Sequence, residues 1–308
     1  MKILNTIQDF DAGAKKILEK IGDVEYRILS QYELKDAIKD YEAIIIGIGL
    51  RLDKESIDVA SKLKFIATAT TGTDHVEFEY AKEKGVKVLS LQNEDLNEIT
   101  GTAELAFGLL LSLVRRIPQS FIDVKKGNWE REKFLGNSLT GKTLGIVGLG
   151  RLGTMMAKYG KAFGMHVLAH DPNVLTSQVA SLVSFDKLSS KSDIVSVHVH
   201  LSDETSNMFN EQVFSRMKDT AYLINTSRGA IVNEKDLLRA LETNNIAGYA
   251  TDVLSDEVNF SRDVNHSLIE YAKTNENVII TPHIGGYTAE SRSATDKIIA
   301  QRIIKVLY

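Results

Sequence analysis

The chain has 308 residues, of which 43% are hydrophobic and 25% charged; this ordinary globular usage excludes a disordered or collagen-like polymer, and at about 150 residues per domain it predicts two domains. Thirty-seven Lys and Arg against 41 Asp and Glu leave a net charge of −4, without the basic footprint of a nucleic-acid binder. The chain has no cysteine, which excludes a disulfide framework, thiolate zinc sites and a cysteine nucleophile and fits a cytoplasmic enzyme.

Apolar runs alternate with helical patterns from the first residues onward. Residues 2–7 read as a strand and 14–21 as an amphipathic helix. Strands at 25–29 and 43–48 flank a helix at 34–39. A helix at 56–63, a strand at 65–70, a helix at 76–84 and a short strand at 86–89 follow. A long helical pattern spans 98–116 and is stopped by Pro118. Its most apolar part, 103–114, carries Glu104 and is too short for a bilayer, so a buried helix is expected and no membrane partner. The N-terminus runs straight into an apolar strand, so no signal peptide is expected.

A second series begins at Lys142. Its strands are 143–147, 166–169, 194–200, 222–225, 246–252 and 278–281. Helical segments fall at 152–163, 211–217, 235–241 and 268–273, and a terminal helix at 289–307 has Thr288 as its N-cap. Such alternation implies α/β architecture, with parallel sheets covered by helices.

The sharpest local signal is Lys142-Thr-Leu-Gly-Ile-Val-Gly-Leu-Gly-Arg-Leu-Gly153, in which Gly148, Gly150 and Gly153 fill a G-x-G-x-x-G pattern. It follows a strand and opens a helix, the context that gives the pattern meaning. Gly148 permits a tight turn, Gly150 lets the backbone approach a pyrophosphate, and Gly153 lets helix and strand pack closely. The helix from Arg151 and Leu152 then aims its free N–H groups at the phosphates. Asp171, at the end of the next strand and followed by Pro172, can accept ribose hydroxyls and repel a 2′-phosphate, which favours NAD over NADP.

With these motifs in this order, the chain resembles the NAD-dependent D-isomer-specific 2-hydroxyacid dehydrogenases. The resemblance covers nearly the whole chain. It rests on Thr71-Gly72-Thr73-Asp74-His75, the glycine turn with Arg151, His170-Asp171-Pro172 and Val197-His198-Val199. It continues through Asn225-Thr226-Ser227-Arg228-Gly229, Thr251-Asp252-Val253 and Thr281-Pro282-His283-Ile284-Gly285-Gly286. The family implies two Rossmann-like domains. Residues 1–97 and 285–308 form a flavodoxin-like substrate domain, residues 98–284 form the NAD-binding Rossmann domain, and the active site lies in the cleft between them.

Reduction of a 2-oxo acid needs a cation for the carboxylate and carbonyl, and a proton donor that titrates near the working pH. Arg228 follows a strand, and its planar fork matches a carboxylate. His283 ends another strand behind Pro282, and a nearby carboxylate would stabilise its protonated form. The resemblance assigns Arg228 to substrate binding, His283 to general acid/base work and a glutamate to orienting that histidine. Glu257, five residues past Asp252, has the expected spacing; Asp256 is the rival, because the family's acidic residue is usually followed by proline and none stands here. The resemblance further places His198, Thr226, Asp252 and Gly285 beside the cofactor, and the backbone of Thr71 and Gly72 on the substrate carboxylate. His198 and His200 alternate along the predicted strand, but a metal site needs a further ligand and none is evident, so no metal is expected. The family usually has proline where His200 stands.

Trp129, the only tryptophan, lies in a charged stretch. It is either a contact surface, in keeping with the family's arm that crosses to a second subunit of a homodimer, or a local core residue. The reading of the chain is therefore an NAD-dependent oxidoreductase acting on a small 2-oxo or D-2-hydroxy acid. The alternative is a nucleotide-sensing protein like the corepressors that resemble these dehydrogenases; Arg228 and His283 argue against it. Phosphoglycerate dehydrogenases of the family carry arginines in the loop after the third strand; here the loop at 47–52 carries one, Arg51, and it is offset. At 308 residues, the regulatory C-terminal domain of the longer forms is not expected. The identity of the acid stays open.

Overall fold

The structure, a computed structural model, describes residues 1–92, 96, 99–257, 260 and 264–307. The chain divides into two compact units, Met1–Ile99 with Tyr287–Tyr308, and Thr100–Gly286. In chain order the strands are β1 (Lys2–Asn5), β2 (Asp23–Tyr26), β3 (Ala43–Ile46), β4 (Phe65–Thr68) and β5 (Lys87–Leu89), then β6 (Thr143–Val147), β7 (His166–His170), β8 (Ser181–Leu182), β9 (Ile194–Val197), β10 (Tyr222–Asn225), β11 (Gly248–Thr251) and β12 (Val278–Ile280). The helices are α1 (Ala12–Leu18), α2 (Gln31–Ala37), α3 (Lys54–Val59), α4 (Phe78–Glu83), α5 (Gly101–Val114), α6 (Ile117–Lys125), α7 (Arg151–Ala162), α8 (Phe185–Lys191), α9 (Glu211–Phe214), α10 (Glu234–Glu242), α11 (Ser267–Thr274) and α12 (Ala289–Leu307).

The first unit is a five-stranded parallel sheet in the order β2-β1-β3-β4-β5. Its inner strands β3 and β4 are buried at every position, as strands covered on both faces must be. Short helices are started by side chains that accept orphan N–H groups: Asp11 takes the Ala14 N–H at 2.9 Å and Asp53 the Ser56 N–H at 2.8 Å. Helix α12 returns to this unit because Ile299, Ala300 and Ile303 complete a core with Ile3, Leu18, Ile45 and Phe65. Fully buried Asp296 accepts the Asp11 N–H at 2.9 Å, tying α12 to the start of α1.

The second unit is a seven-stranded sheet in the order β12-β11-β10-β9-β6-β7-β8, with every pair parallel. From β6 the chain runs outward through β7 and β8, then returns to β9 and proceeds the other way. The reversal makes the β6–β9 boundary a topological switch point, where open α/β sheets place ligands. The register sets Val147 against both His170 and Val197, Asn225 against Val197 and Thr251, and Thr251 against Ile280. The loops leaving these carboxyl ends therefore emerge along one edge.

Three sequence expectations change. The predicted helix 98–116 is α5 alone, and its expected first residue, Glu98, lies outside the described residues. Pro118 does not end a helix; it sits in the first turn of α6, which the sequence reading missed. Proline is tolerated there because first-turn N–H groups have no intrahelical acceptor, and the break between the helices is made by Arg116 at φ 52 with a 65° bend. The predicted strand 194–200 ends at Val197, so His198 and His200 lie beyond it. Helix α8, opened by Ser184 accepting the Lys187 N–H at 3.3 Å, and the two-residue β8 were also missed. Among the described residues no single helix is long and apolar enough to cross a membrane.

Candidate active site

The glycine turn connects β6 to α7. Gly148 has φ +88, and a Cβ there would lie 2.6 Å from the His198 carbonyl oxygen, so the turns after β6 and β9 touch backbone to backbone. A Cβ at Gly153 would lie 2.0 Å from the Gly148 carbonyl oxygen. At Gly150, the N-cap of α7, a Cβ would meet nothing within 4 Å. Two of the glycines are thus required by packing, and the third faces open space at a helix N-terminus.

Asp171 is drawn onto this turn. Its Oδ2 accepts the Leu149 N–H at 2.8 Å and its Oδ1 the Asn173 N–H at 2.9 Å. His198 accepts or donates at Nε2 with Ser196 Oγ at 2.8 Å. The residue is partly exposed, but its Nδ1 is shut from solvent and has no partner among the described residues. Burial pushes its pKa down to about 4, so the ring is neutral. Thr226 Oγ1 is likewise buried without a partner among the described residues. Open space at Gly150, two unsatisfied polar atoms and an acidic residue beside the turn fit a dinucleotide along this edge.

Arg228, Asp252, Glu257 and His283 follow the adjacent strands β10, β11 and β12. Asn225 shapes the first of these turns: its Oδ1 accepts the Ser227 N–H at 3.0 Å and its Nδ2 donates to the Arg228 carbonyl at 3.0 Å. Ser227 Oγ donates to the Val197 carbonyl at 2.8 Å, locking the turn to β9. Arg228 is half-buried, and its Nη1 donates to the Ser227 carbonyl at 2.8 Å.

His283 stands at φ 53, a left-handed conformation that a residue with a Cβ adopts only when its surroundings impose it. Asp252 imposes it. Its Oδ1 accepts from Thr281 Oγ1 at 2.6 Å and from the Ile284 N–H at 2.9 Å, and its Oδ2 accepts the Gly285 N–H at 2.7 Å. Asp252 is 1% exposed, and burial holds its carboxyl above the usual range against those donors. This bracing role was not read from the sequence, where Asp252 and Gly285 were matched to the cofactor alone. His283 Nδ1 lies 2.5 Å from Glu257 Oε1, while Asp256 stands beside it in the chain at φ 58. The carboxylate paired with His283 is Glu257.

In the first unit, Thr71 and Gly72 lie in a turn built by Thr70, whose Oγ1 donates to the Gly72 carbonyl at 2.7 Å and lies 2.9 Å from Thr68 Oγ1. Buried His75 meets Thr68 Oγ1 through Nε2 at 3.1 Å. Arg51 Nη2 pairs with Glu77 Oε1 at 2.8 Å. In the second unit Trp129 is 87% exposed, so it is not a core residue.

The family model described as the D-isomer specific 2-hydroxyacid dehydrogenase NAD binding domain matches residues 107–285. The chain belongs to this family. Within it, the chain is 37% identical to the D-3-phosphoglycerate dehydrogenase of Methanocaldococcus jannaschii over all of its own length and 57% of that relative's. It is 36% identical to the rat D-3-phosphoglycerate dehydrogenase over 96% of its length and 55% of the relative's. The chain thus spans about half the length of the curated relatives it matches. A solved D-lactate dehydrogenase from Aquifex aeolicus, complexed with NAD and lactic acid, superposes with a TM-score of 0.88 at 30% identity, covering 100% of this chain and 95% of that one. NAD is the cofactor of the matched domain, and the residues along the β6–β9 edge fit it.

Proposed function

We propose that this 2-hydroxyacid dehydrogenase family member is an NAD-dependent oxidoreductase interconverting a small 2-oxo acid and the D-2-hydroxy acid. The observation that carries this reading is the His283–Glu257 pair at 2.5 Å, on the loops next to Arg228. Bound NADH supplies the hydride that reaches the carbonyl carbon. Glu257 accepts the Nδ1–H of His283, so Nε2 is left to present the mobile proton. His283 gives that proton to the carbonyl oxygen, which becomes the hydroxyl; in the reverse direction neutral His283 takes it back. Arg228 binds the substrate carboxylate with its planar fork and polarises the carbonyl. NADH oxidation against a panel of glyoxylate, pyruvate, hydroxypyruvate and phosphohydroxypyruvate tests the reading; no turnover with any 2-oxo acid overturns it.

We assign the adenosine ribose to Asp171. Its negative charge disfavours a 2′-phosphate, so catalytic efficiency is expected to be at least about tenfold higher with NADH than with NADPH. Asp171→Ala should narrow that gap mainly by weakening NADH, since the variant also frees the Leu149 and Asn173 N–H groups. Equal efficiency of the parent with both cofactors contradicts the assignment.

We further assign a two-fold homodimer to the face bearing α6. Ile117, Phe121, Ile122 and Val124 on this helix, with Trp129 and Leu135 after it, are exposed, and no residue of α6 is buried. A patch of this kind calls for cover. Light scattering should return twice the mass of one chain at micromolar concentration, and Trp129→Glu with Phe121→Glu should halve it. A monomeric parent refutes the dimer.

A further inference from the structure

We infer that Glu234 is a positioning residue for the acid–base unit: from the start of α10 it pins the loop that carries Glu257. The inference rests on the proposed role of Glu257. Glu234 Oε1 accepts the Ser255 N–H at 2.9 Å, and its Oε2 meets His266 Nε2 at 3.0 Å. Both side chains of that pair are largely buried, at 16% and 13% exposure. His266 Nδ1 accepts the Leu268 N–H at 3.3 Å at the opening of α11, so its proton sits on Nε2 and is donated to Glu234. Glu234 is therefore held between two partners supplied by opposite ends of one loop.

The same loop is held at three further points. Glu257 Oε2 accepts the Leu254 N–H at 3.2 Å while Oε1 takes His283. The Phe260 N–H donates to the Glu257 carbonyl at 3.1 Å, and the Phe260 ring meets His266 edge-on at 5.5 Å. A Cβ on Gly229 would lie 2.1 Å from the Leu254 carbonyl carbon and 2.3 Å from the Ser255 nitrogen, so the turn after Arg228 packs directly on the peptide that Glu234 holds. Between the pinned residues Ser255 and Glu257, Asp256 has φ 58. A non-glycine residue stays in that conformation only when its neighbours over-determine it. Without Glu234 the Ser255 N–H loses its acceptor, Asp256 is free to relax toward negative φ, and Glu257 is displaced from His283. A plain structural role would be helix support, since an acidic first-turn residue favours α10; such a role leaves the hydrogen bond of His283 to Glu257 untouched.

Among the described residues, the ionisable groups that bear on the unit are Glu257 and Asp256 on this loop, Asp252 just before it, Glu234 on α10, His266 before α11, and Tyr249 on β11. The test is NMR observation of the His283 Nδ1–H proton in the full chain, compared among the parent, Glu257→Gln, Glu234→Asp and the double variant. A proton donated to a carboxylate resonates far downfield, and Glu257→Gln is expected to move it upfield through loss of the charged acceptor. Glu234→Asp keeps the charge but retracts the carboxylate from Ser255, and it should move the resonance in the same direction. In the Glu257→Gln background it should add nothing. Glu234→Gln, which cannot accept from both Ser255 and His266, should behave like Glu234→Asp and serves if that variant does not fold. A His283 resonance unchanged in the folded Glu234 variants, or an equal shift persisting in the double variants, overturns the inference while leaving Glu257 in place. If Glu257→Gln itself leaves the resonance where it was, the pairing is without effect and the acid–base reading falls with the inference.

Discussion

His283→Ala is expected to lower kcat for 2-oxo acid reduction by at least ~10²-fold, the contribution typical of a positioned general acid. The same loss is expected in the oxidative direction, because one imidazole serves both. The two directions should have opposite pH dependence: reduction needs the protonated ring and fades as pH rises, whereas oxidation needs the neutral ring and fades as pH falls. Glu257 Oε1 lies 2.5 Å from Nδ1. In Glu257→Gln the ring loses the carboxylate that orients it, and kcat should fall in both directions. Dissociation constants for NADH should stay nearly unchanged in both variants, since neither residue is assigned to the cofactor. If Asp256→Asn lowers kcat and Glu257→Gln does not, the carboxylate is misassigned. If His283→Ala turns over as the parent does, the assignment of the acid–base residue fails; a parent that turns over no 2-oxo acid favours the nucleotide-sensing role.

Gly153→Ala and Gly150→Ala should separate folding from cofactor binding. A methyl at Gly153 would lie 2.0 Å from the Gly148 carbonyl oxygen and 3.1 Å from Ile146 Cγ2. The carbonyl belongs to a turn whose N–H donates to His170 at 2.9 Å, so α7 has to move off the sheet. Overpacking of this kind costs about 1–3 kcal/mol, which lowers Tm, and it displaces the helix N-terminus that we assign to the phosphates, so NADH binding should weaken at least about tenfold. At Gly150 a methyl meets no atom within 4 Å, and the residue has ordinary φ −72. That variant should keep the parent Tm to within a few degrees, as a substitution without a clash does, yet lose NADH affinity because the methyl occupies the space assigned to the pyrophosphate. Calorimetry and NADH fluorescence titration read the two effects independently. Parent-like NADH binding by Gly150→Ala contradicts the assignment of the turn.

Most of the strand and helix alternation was legible because it depends on local periodicity, and β3, β6 and β10 begin where their apolar runs begin. Helix α6 was not legible as a helix of this fold. Its apolar residues are exposed, so they follow no burial pattern that the chain itself satisfies, and Pro118 reads equally as a stop or a start. The glycine turn was legible because conformation and close approach leave glycine as the one residue type that fits at Gly148 and Gly153.

The sequence by itself determined most of the order of strands and helices, the glycine turn with its acidic partner, and the set of residue types available for acid–base chemistry. Tertiary structure alone decided which of them meet. Asp256 and Glu257 are adjacent, and spacing could only rank them; the choice follows from the left-handed backbone at Asp256, the close approach of Gly229 to Leu254 and Ser255, and the bonds that hold Leu254 and Ser255. Asp252 likewise matches a motif without revealing that its carboxylate takes Thr281, Ile284 and Gly285 and so sets His283 at φ 53. These contacts join loops from different strands. Their geometry depends on the register of β10, β11 and β12, and that register exists only once the sheet has assembled.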